Sequence, residues 1–159
     1  MRKRLLSPIR KTTAVQEQGW LELDRNAVVE VTSEAEGYAV EEALLRDGRG
    51  WQADMPGPQA IRLLFDQPQT IHIIRLVFRE EEFVRTQEFV LRWLPYGAES
   101  WKEIVRQQWN FSPPNTIKEC EEYKVELSSA AALELSIKPD ISLGKARASL
   151  QRLQVAVRP

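Results

Sequence analysis

Two stretches concentrate side chains able to grip a ligand. Residues 108–116 read QWNFSPPNT, which sets Trp109 and Phe111 among the amides of Gln108, Asn110 and Asn115. Aromatic faces stack on sugar C–H surfaces or on bases, and amides both donate to and accept from hydroxyls, so this composition suits a neutral polar ligand. In the competing reading, Trp109 ends a strand in the core while Pro113 and Pro114 stiffen the turn. Residues 80–88 read EEEFVRTQE and place Glu80, Glu81 and Glu82 beside Arg85. Acids with an arginine could hold sugar hydroxyls or a basic peptide, since the guanidinium offers a fixed fork of donors. A solvated charge run is the bland account of the same residues.

Chemistry of other kinds finds little material. The chain has one histidine, His72, and one cysteine, Cys120. A lone cysteine makes no internal disulfide and no cysteine cage, and a lone histidine supports no histidine-rich zinc site. No serine or cysteine accompanies His72 in its neighbourhood, so it reads as structural rather than catalytic. Glu41 and Glu42 have no acid–base spacing, and nothing resembles a phosphate loop. The reading is therefore not an enzyme, with no catalytic residues, no metal and no cofactor.

The elements that position the two stretches follow from apolar periodicity. Ile61, Leu63 and Phe65 alternate with polar residues, as do Phe89, Leu91 and Trp93, and Leu133, Leu135 and Ile137. Period two predicts strands with one dry face. IHIIRLVF, residues 71–78, is apolar at both parities and predicts a strand covered on both faces. The predicted strands are 20–23, 27–32, 58–66, 70–79, 87–94, 101–109, 118–127, 132–138 and 148–157, with turn signals between them around Pro68, Gly97, and Pro113 with Pro114. One helical pattern, YAVEEALLR at 38–46, predicts a short helix in the loop after the first core strand. The fold class is all-β, a β-sandwich.

If successive strands from residue 27 onward run antiparallel, connections 33–57, 80–86, 110–117 and 139–147 emerge at one end, and the tight connections 67–69, 95–100 and 128–131 at the other. Binding groups usually sit on loops carried by a rigid scaffold, so the long-loop end is the expected functional face. Tyr38, Arg85, Asn110, Phe111 and Asn115 come from three separate connections and would converge there as the ligand-binding set. Trp51, Trp93 and Trp101 are expected in the core.

At 159 residues the chain is the size of about one domain. It is 43% hydrophobic and 28% charged, a balance that can build a core and a surface. Its 22 basic and 23 acidic side chains give a net charge of −1, which argues against a chain built mainly to neutralise phosphates and disfavours nucleic acid as the partner. Arg2, Lys3, Arg4, Arg10 and Lys11 make the first residues basic. The expected organisation is a flexible basic tail at residues 1–18 and one sandwich domain at 19–159. The apolar run after the basic start stops at Ser7 and Pro8, so no export signal and no membrane association are expected, and the expected compartment is the cytoplasm.

The chain also resembles the discoidin, or coagulation factor F5/8 type C, family of the galactose-binding-like superfamily over roughly residues 27–157. The resemblance is carried by VEVTSEAEGYAVEEALLRDGRGWQA, IRLLFDQPQTIHIIRLVF, RTQEFVLRWLPYGAESWKEI, and LELSIKPD followed by ARASLQRLQV. It implies a jelly-roll β-sandwich that binds glycans, lipids or proteins through loops at one end, usually without catalysis. It also favours Arg85, because a matching basic residue in the family often lies near the ligand. Many relatives hold a structural calcium in an Asp-Gly loop. Here Asp47 and Gly48 match, but Arg49 and Arg152 stand where oxygen donors are implied, so no calcium is expected and an Asp47 to Arg152 ion pair is expected in its place. The functional expectation is a non-catalytic module that binds a carbohydrate, or alternatively a protein, on the long-loop face.

Overall fold

The computed structural model describes residues 19–159, and the basic tail expected at 1–18 lies outside the described residues. The elements in chain order are α1 (Leu23–Asn26), β1 (Ala27–Val31), α2 (Glu41–Leu44), β2 (Trp51–Pro56), β3 (Gln59–Arg79), β4 (Arg85–Pro95), β5 (Lys102–Phe111), β6 (Lys118–Lys138), β7 (Arg147–Leu150) and β8 (Arg152–Arg158). β3 and β6 pair antiparallel along their whole length, from Gln59 with Ile137 to Arg79 with Lys118. This ribbon bends where the register shifts, between Leu64 and Ile73. One half joins β1, β4 and β5 in the order β1-β3-β6-β4-β5, and the other half carries β8. A single folded ribbon thus supplies both layers of a β-sandwich.

The tight turns expected at 67–69 and 128–131 are corners inside continuous strands rather than chain reversals between separate ones. Proline cannot donate to a ladder, and Pro68 lies exposed within the stretch where pairing lapses. Ser129 adopts a positive φ of 53° at the matching corner of β6. Because the ribbon doubles back, alternation of ends is preserved. Glu80 N donates to Ile117 O and Ile141 N to Thr86 O, which gathers the connections after β3, β5 and β6 at one end. At the opposite end Tyr96 N donates to Ser129 O.

The core lies between the layers. Ile61, Leu63, Phe89, Leu91, Leu133, Leu135 and Ile137 face Ile74, Leu76, Phe78, Leu153 and Val155. Phe78 and Phe89 meet with ring centres 5.1 Å apart. The two-faced burial expected of 71–78 is corrected: Ile71, Ile74, Leu76 and Phe78 are buried while His72, Ile73, Arg75 and Val77 are half-buried. A register irregularity between Ile71 and Ile73 shifts the parity, so apolar residues fall at odd and even positions on one inward face.

Other boundaries differ as well. The strand expected at 20–23 is a bridge from Trp20 to Ala156 followed by the turn of α1. β2 was unexpected, and it pairs with β7. The strand expected at 148–157 divides after Leu150, its first part pairing with β2 and its second with β3. α2 spans four residues of the nine expected, because Leu45 turns extended. Trp51 is core, its Nε1 donating to Ser33 O at 2.8 Å. Trp93 is half-buried against the core, and Trp101 lies outside it beneath the Arg62 guanidinium, 5.1 Å from the ring centre. Among the described residues no helix is long and apolar enough to cross a membrane.

Candidate functional site

At the long-loop end an open groove of about 590 Å³ runs between the segment around Tyr38 and Arg49 and the turn that follows β3, with β7 and Gln151 along its length. Its first wall is fixed by close backbone contact. A Cβ on Gly48 would sit 2.0 Å from Glu42 O, so only glycine fits. Gly50 N donates to that same carbonyl, and Arg49 N donates to Glu42 Oε1 at 2.9 Å. The Arg49 side chain then reaches Gly37 O at 2.6 Å and brings its guanidinium 5.5 Å from the centre of the Tyr38 ring. Tyr38 remains 41% exposed, so an aromatic surface and a cation stand together at the groove.

The second wall hangs on a buried ion pair. Arg85 Nε lies 2.6 Å from Glu80 Oε1, and the Arg85 side chain is fully buried. Its Nη1 donates to Pro139 O at 2.7 Å and to Gln87 Oε1, while Phe111 lies under the guanidinium at 4.8 Å. The other oxygen of Glu80 accepts from Glu82 N and Phe83 N. The pair thereby sets the turn that exposes Glu82 and Phe83. Arg79 is paired with Glu81 on the same rim.

Behind this wall the polar chain continues inward. Gln87 Nε2 donates to Glu119 Oε1 at 3.3 Å. Burial, reinforced by Glu121, pushes the Glu119 carboxyl up to about 8, with Gln87 and Arg85 acting in the opposite sense. Tyr123, raised by burial and by the two acids, keeps its proton and donates to Gln107, which also donates to Glu121. Among the described residues, Arg85 Nη2, Glu119 Oε2 and Trp109 Nε1 are buried and find no hydrogen-bond partner.

The five residues expected to converge do share this end, but they occupy different depths. Tyr38 lines the groove. The surface position expected of Arg85 and Phe111 is corrected: both are buried, stacked on each other beneath the loops. Their inward direction follows from strand parity, since Arg85 pairs directly with Phe111 and points the same way as Gln87 and Phe89. Asn110 is exposed on β5, where Oδ1 accepts from Thr86 Oγ1 at 2.7 Å, and Asn115 is exposed in the connection beyond. Sequence reasoning missed Phe83, Lys145 and Arg147 as groove residues and treated Arg49 only as a departure in the Asp-Gly loop. Alternation of strand direction brings connection 139–147 to this end, and that is the available signal for Lys145.

Arg152 donates to the carbonyl oxygens of Arg46 and Gly48, and the expected partnership with Asp47 is replaced by these two backbone contacts. A guanidinium donor set on those carbonyls supplies positive charge where an ion would need free oxygens. Among the described residues no group of three or more histidine, cysteine or acidic side chains is arranged to hold a metal. His72 sits apart, beside Lys124, Glu126 and Arg158.

The fold is similar to several solved structures. The family 32 carbohydrate-binding module from C. perfringens NanJ, solved with galactose, matches with a TM-score of 0.64 and 11% identity over 86% of this chain and 97% of its own. A C. perfringens module, CpGH89CBM32-5, solved with GalNAc-β-1,3-galactose, matches with a TM-score of 0.62 and 16% identity over 86% and 99%. A chain from the complex of reduced XRCC1 with the DNA polymerase β catalytic domain matches with a TM-score of 0.59 and 14% identity over 85% and 97%. No family model matches the chain, and no curated protein sequence matches it. At these identities the likeness establishes the fold alone, a β-sandwich of the kind these modules share.

Proposed function

We propose that this protein is a non-catalytic binding module that takes a saccharide in the long-loop groove. The observation that carries the reading is the exposed Tyr38 ring held beside Arg49 in an open groove that also presents Glu82 and Gln151. An aromatic face packs on the C–H side of a pyranose while the charged and amide groups exchange hydrogen bonds with its hydroxyls. In this reading Arg85 and Phe111 act from beneath by holding the turn that shapes the groove, and Asn110 and Asn115 border the neighbouring connection. The structural likeness to carbohydrate-binding modules supports the same class by analogy of fold.

A second reading, a cytoplasmic protein–protein interaction module, is favoured by one observation. Phe83, Val84, Ile141 and Leu143 are exposed apolar side chains on two loops of the same end, and exposed apolar surface of this kind marks protein contacts.

A glycan array probed with the full chain and with Tyr38→Ala tests the first reading. The native chain should bind a defined set of saccharides. The variant should lose about tenfold in affinity while its stability stays within about 0.5 kcal/mol, because the ring is exposed. Absence of binding to any saccharide would sink the reading.

A further inference from the structure

The charges lining the groove are unequal once their internal partners are counted. Of the acids, Glu80 is taken by Arg85 and Glu81 by Arg79. Glu82 is the remaining carboxylate of the lining. Of the cations, Arg79 is neutralised by Glu81, but Arg49 spends its donors on a backbone carbonyl and keeps its full charge. Lys145 and Arg147 are exposed and form no ion pair among the described residues. Three cations thus face one free carboxylate, in a chain whose overall charge is slightly negative. The imbalance is local to the groove that Tyr38 lines.

We infer that the groove selects an anionic saccharide, one whose ring packs at Tyr38 and whose carboxylate or sulfate group is held by Arg49, Lys145 and Arg147. This rests on the saccharide reading given above and narrows it. A guanidinium matches the two oxygens of a carboxylate or sulfate in a forked, charge-assisted contact, and a lysine adds an adjustable point charge. Arg49 is already oriented by Gly37 O and the Tyr38 ring, so part of the cost of ordering its long side chain is met before a ligand arrives. Concave walls lined by one sign of charge also concentrate ligands of the opposite sign.

Titration calorimetry of the full chain with a galacturonate trisaccharide, a sulfated galactose, a neutral galactose trisaccharide and a polyglutamate peptide tests the inference. The acidic saccharides should bind about tenfold or more tightly than the neutral one, and the preference should shrink at about 0.3 M salt, where exposed charges are screened. The Lys145→Ala, Arg147→Ala double variant should lose the preference while keeping its affinity for the neutral sugar and its melting temperature. The relative affinities of the carboxylated and sulfated sugars identify which anion is held. Equal or tighter binding of the neutral sugar, or a double variant that keeps the full preference, overturns the inference and leaves the saccharide reading standing. Failure of every saccharide overturns both, and polyglutamate binding in that case points to a protein partner.

Discussion

Both walls of the groove are cinched by arginine, in opposite ways. On one side Arg152 and Arg49 donate to the carbonyl oxygens of Arg46, Gly48 and Gly37 at or near the surface. These are guanidinium donors on neutral acceptors, and the Glu42 carboxylate of this wall takes a backbone N–H, that of Arg49, rather than a charged side chain. On the other side Arg85 is fully buried, bound to the carboxylate of Glu80, and continuous through Gln87 with Glu119, whose carboxyl burial pushes up to about 8. One wall depends on backbone geometry, the other on buried charge. The first should therefore tolerate changes in pH, whereas the second should respond sharply to pH and to removal of one partner.

The largest effect expected from this contrast is at Arg85. Replacing one member of a buried ion pair leaves the other uncompensated, at a cost of about 3 to 5 kcal/mol. Arg85→Ala also removes the donor to Pro139 O and the cation over Phe111. Denaturant unfolding should show a loss of that size, and amide exchange at Glu82 and Phe83 should quicken because Glu80 no longer holds their N–H groups. A loss within about 0.5 kcal/mol, the range of an ordinary surface change, would mean that the wall stands without the pair.

The next effect concerns pH. The Glu119 carboxyl binds its proton more tightly in the folded chain than in the unfolded one, since its value is raised from 4.5 to about 8. Its contribution is complete below the ordinary carboxyl range and declines as pH rises through that range toward 8, above which it is flat. Glu119→Gln keeps a neutral hydrogen-bonding side chain at every pH, so the difference in stability between the variant and the native chain should grow across this window in favour of the variant. About 2 kcal/mol is expected, less than the full shift would give at about 1.4 kcal/mol per unit, because Glu121 shares the titration. Parallel stability curves for the two proteins between pH 4.5 and pH 8 would contradict the protonated state.

The contrast also shows what could be read in advance. Alternation at Ile61 and Leu63, Phe89 and Leu91, and Leu133 through Ile137 gave the sandwich, because period two with one dry face is a local property of the chain. The gathering of long loops at one end followed from counting connections, and it survived the misreading of 67–69 and 128–131 as reversals because the bent ribbon returns to the same end. Burial of Arg85 had no local signal. Its acceptor Pro139 O lies 54 residues away, and its stacking partner Phe111 arrives through the register of β4 with β5. An arginine after three glutamates looks solvated until those distant groups are in place. Tyr38 was legible as a loop aromatic, but the cation beside it depends on Gly48 pressing against Glu42, a contact that no spacing rule announces.

The smallest effect expected is on the carbonyl-tied wall. Arg152→Ala removes two donor contacts to Arg46 O and Gly48 O, one of them long at 3.4 Å. Hydrogen bonds from a charged donor contribute about 1.5 to 3 kcal/mol when buried, but these carbonyls border solvent and water can replace the lost donor, so about 1 kcal/mol is expected. The loss should be constant with pH, in contrast to the changing difference produced by Glu119→Gln. Calcium supplies the second half of the experiment. The native chain should melt at the same temperature with and without it, because the Arg152 guanidinium already engages the Arg46 and Gly48 carbonyl oxygens that the loop would offer an ion. Binding at 100 times a dissociation constant would add about 2.7 kcal/mol, an effect too large to miss in a melting curve. A calcium-induced rise in the native chain would show that Arg152 yields its carbonyls to a metal, and the first wall would then be as dependent on charge as the second.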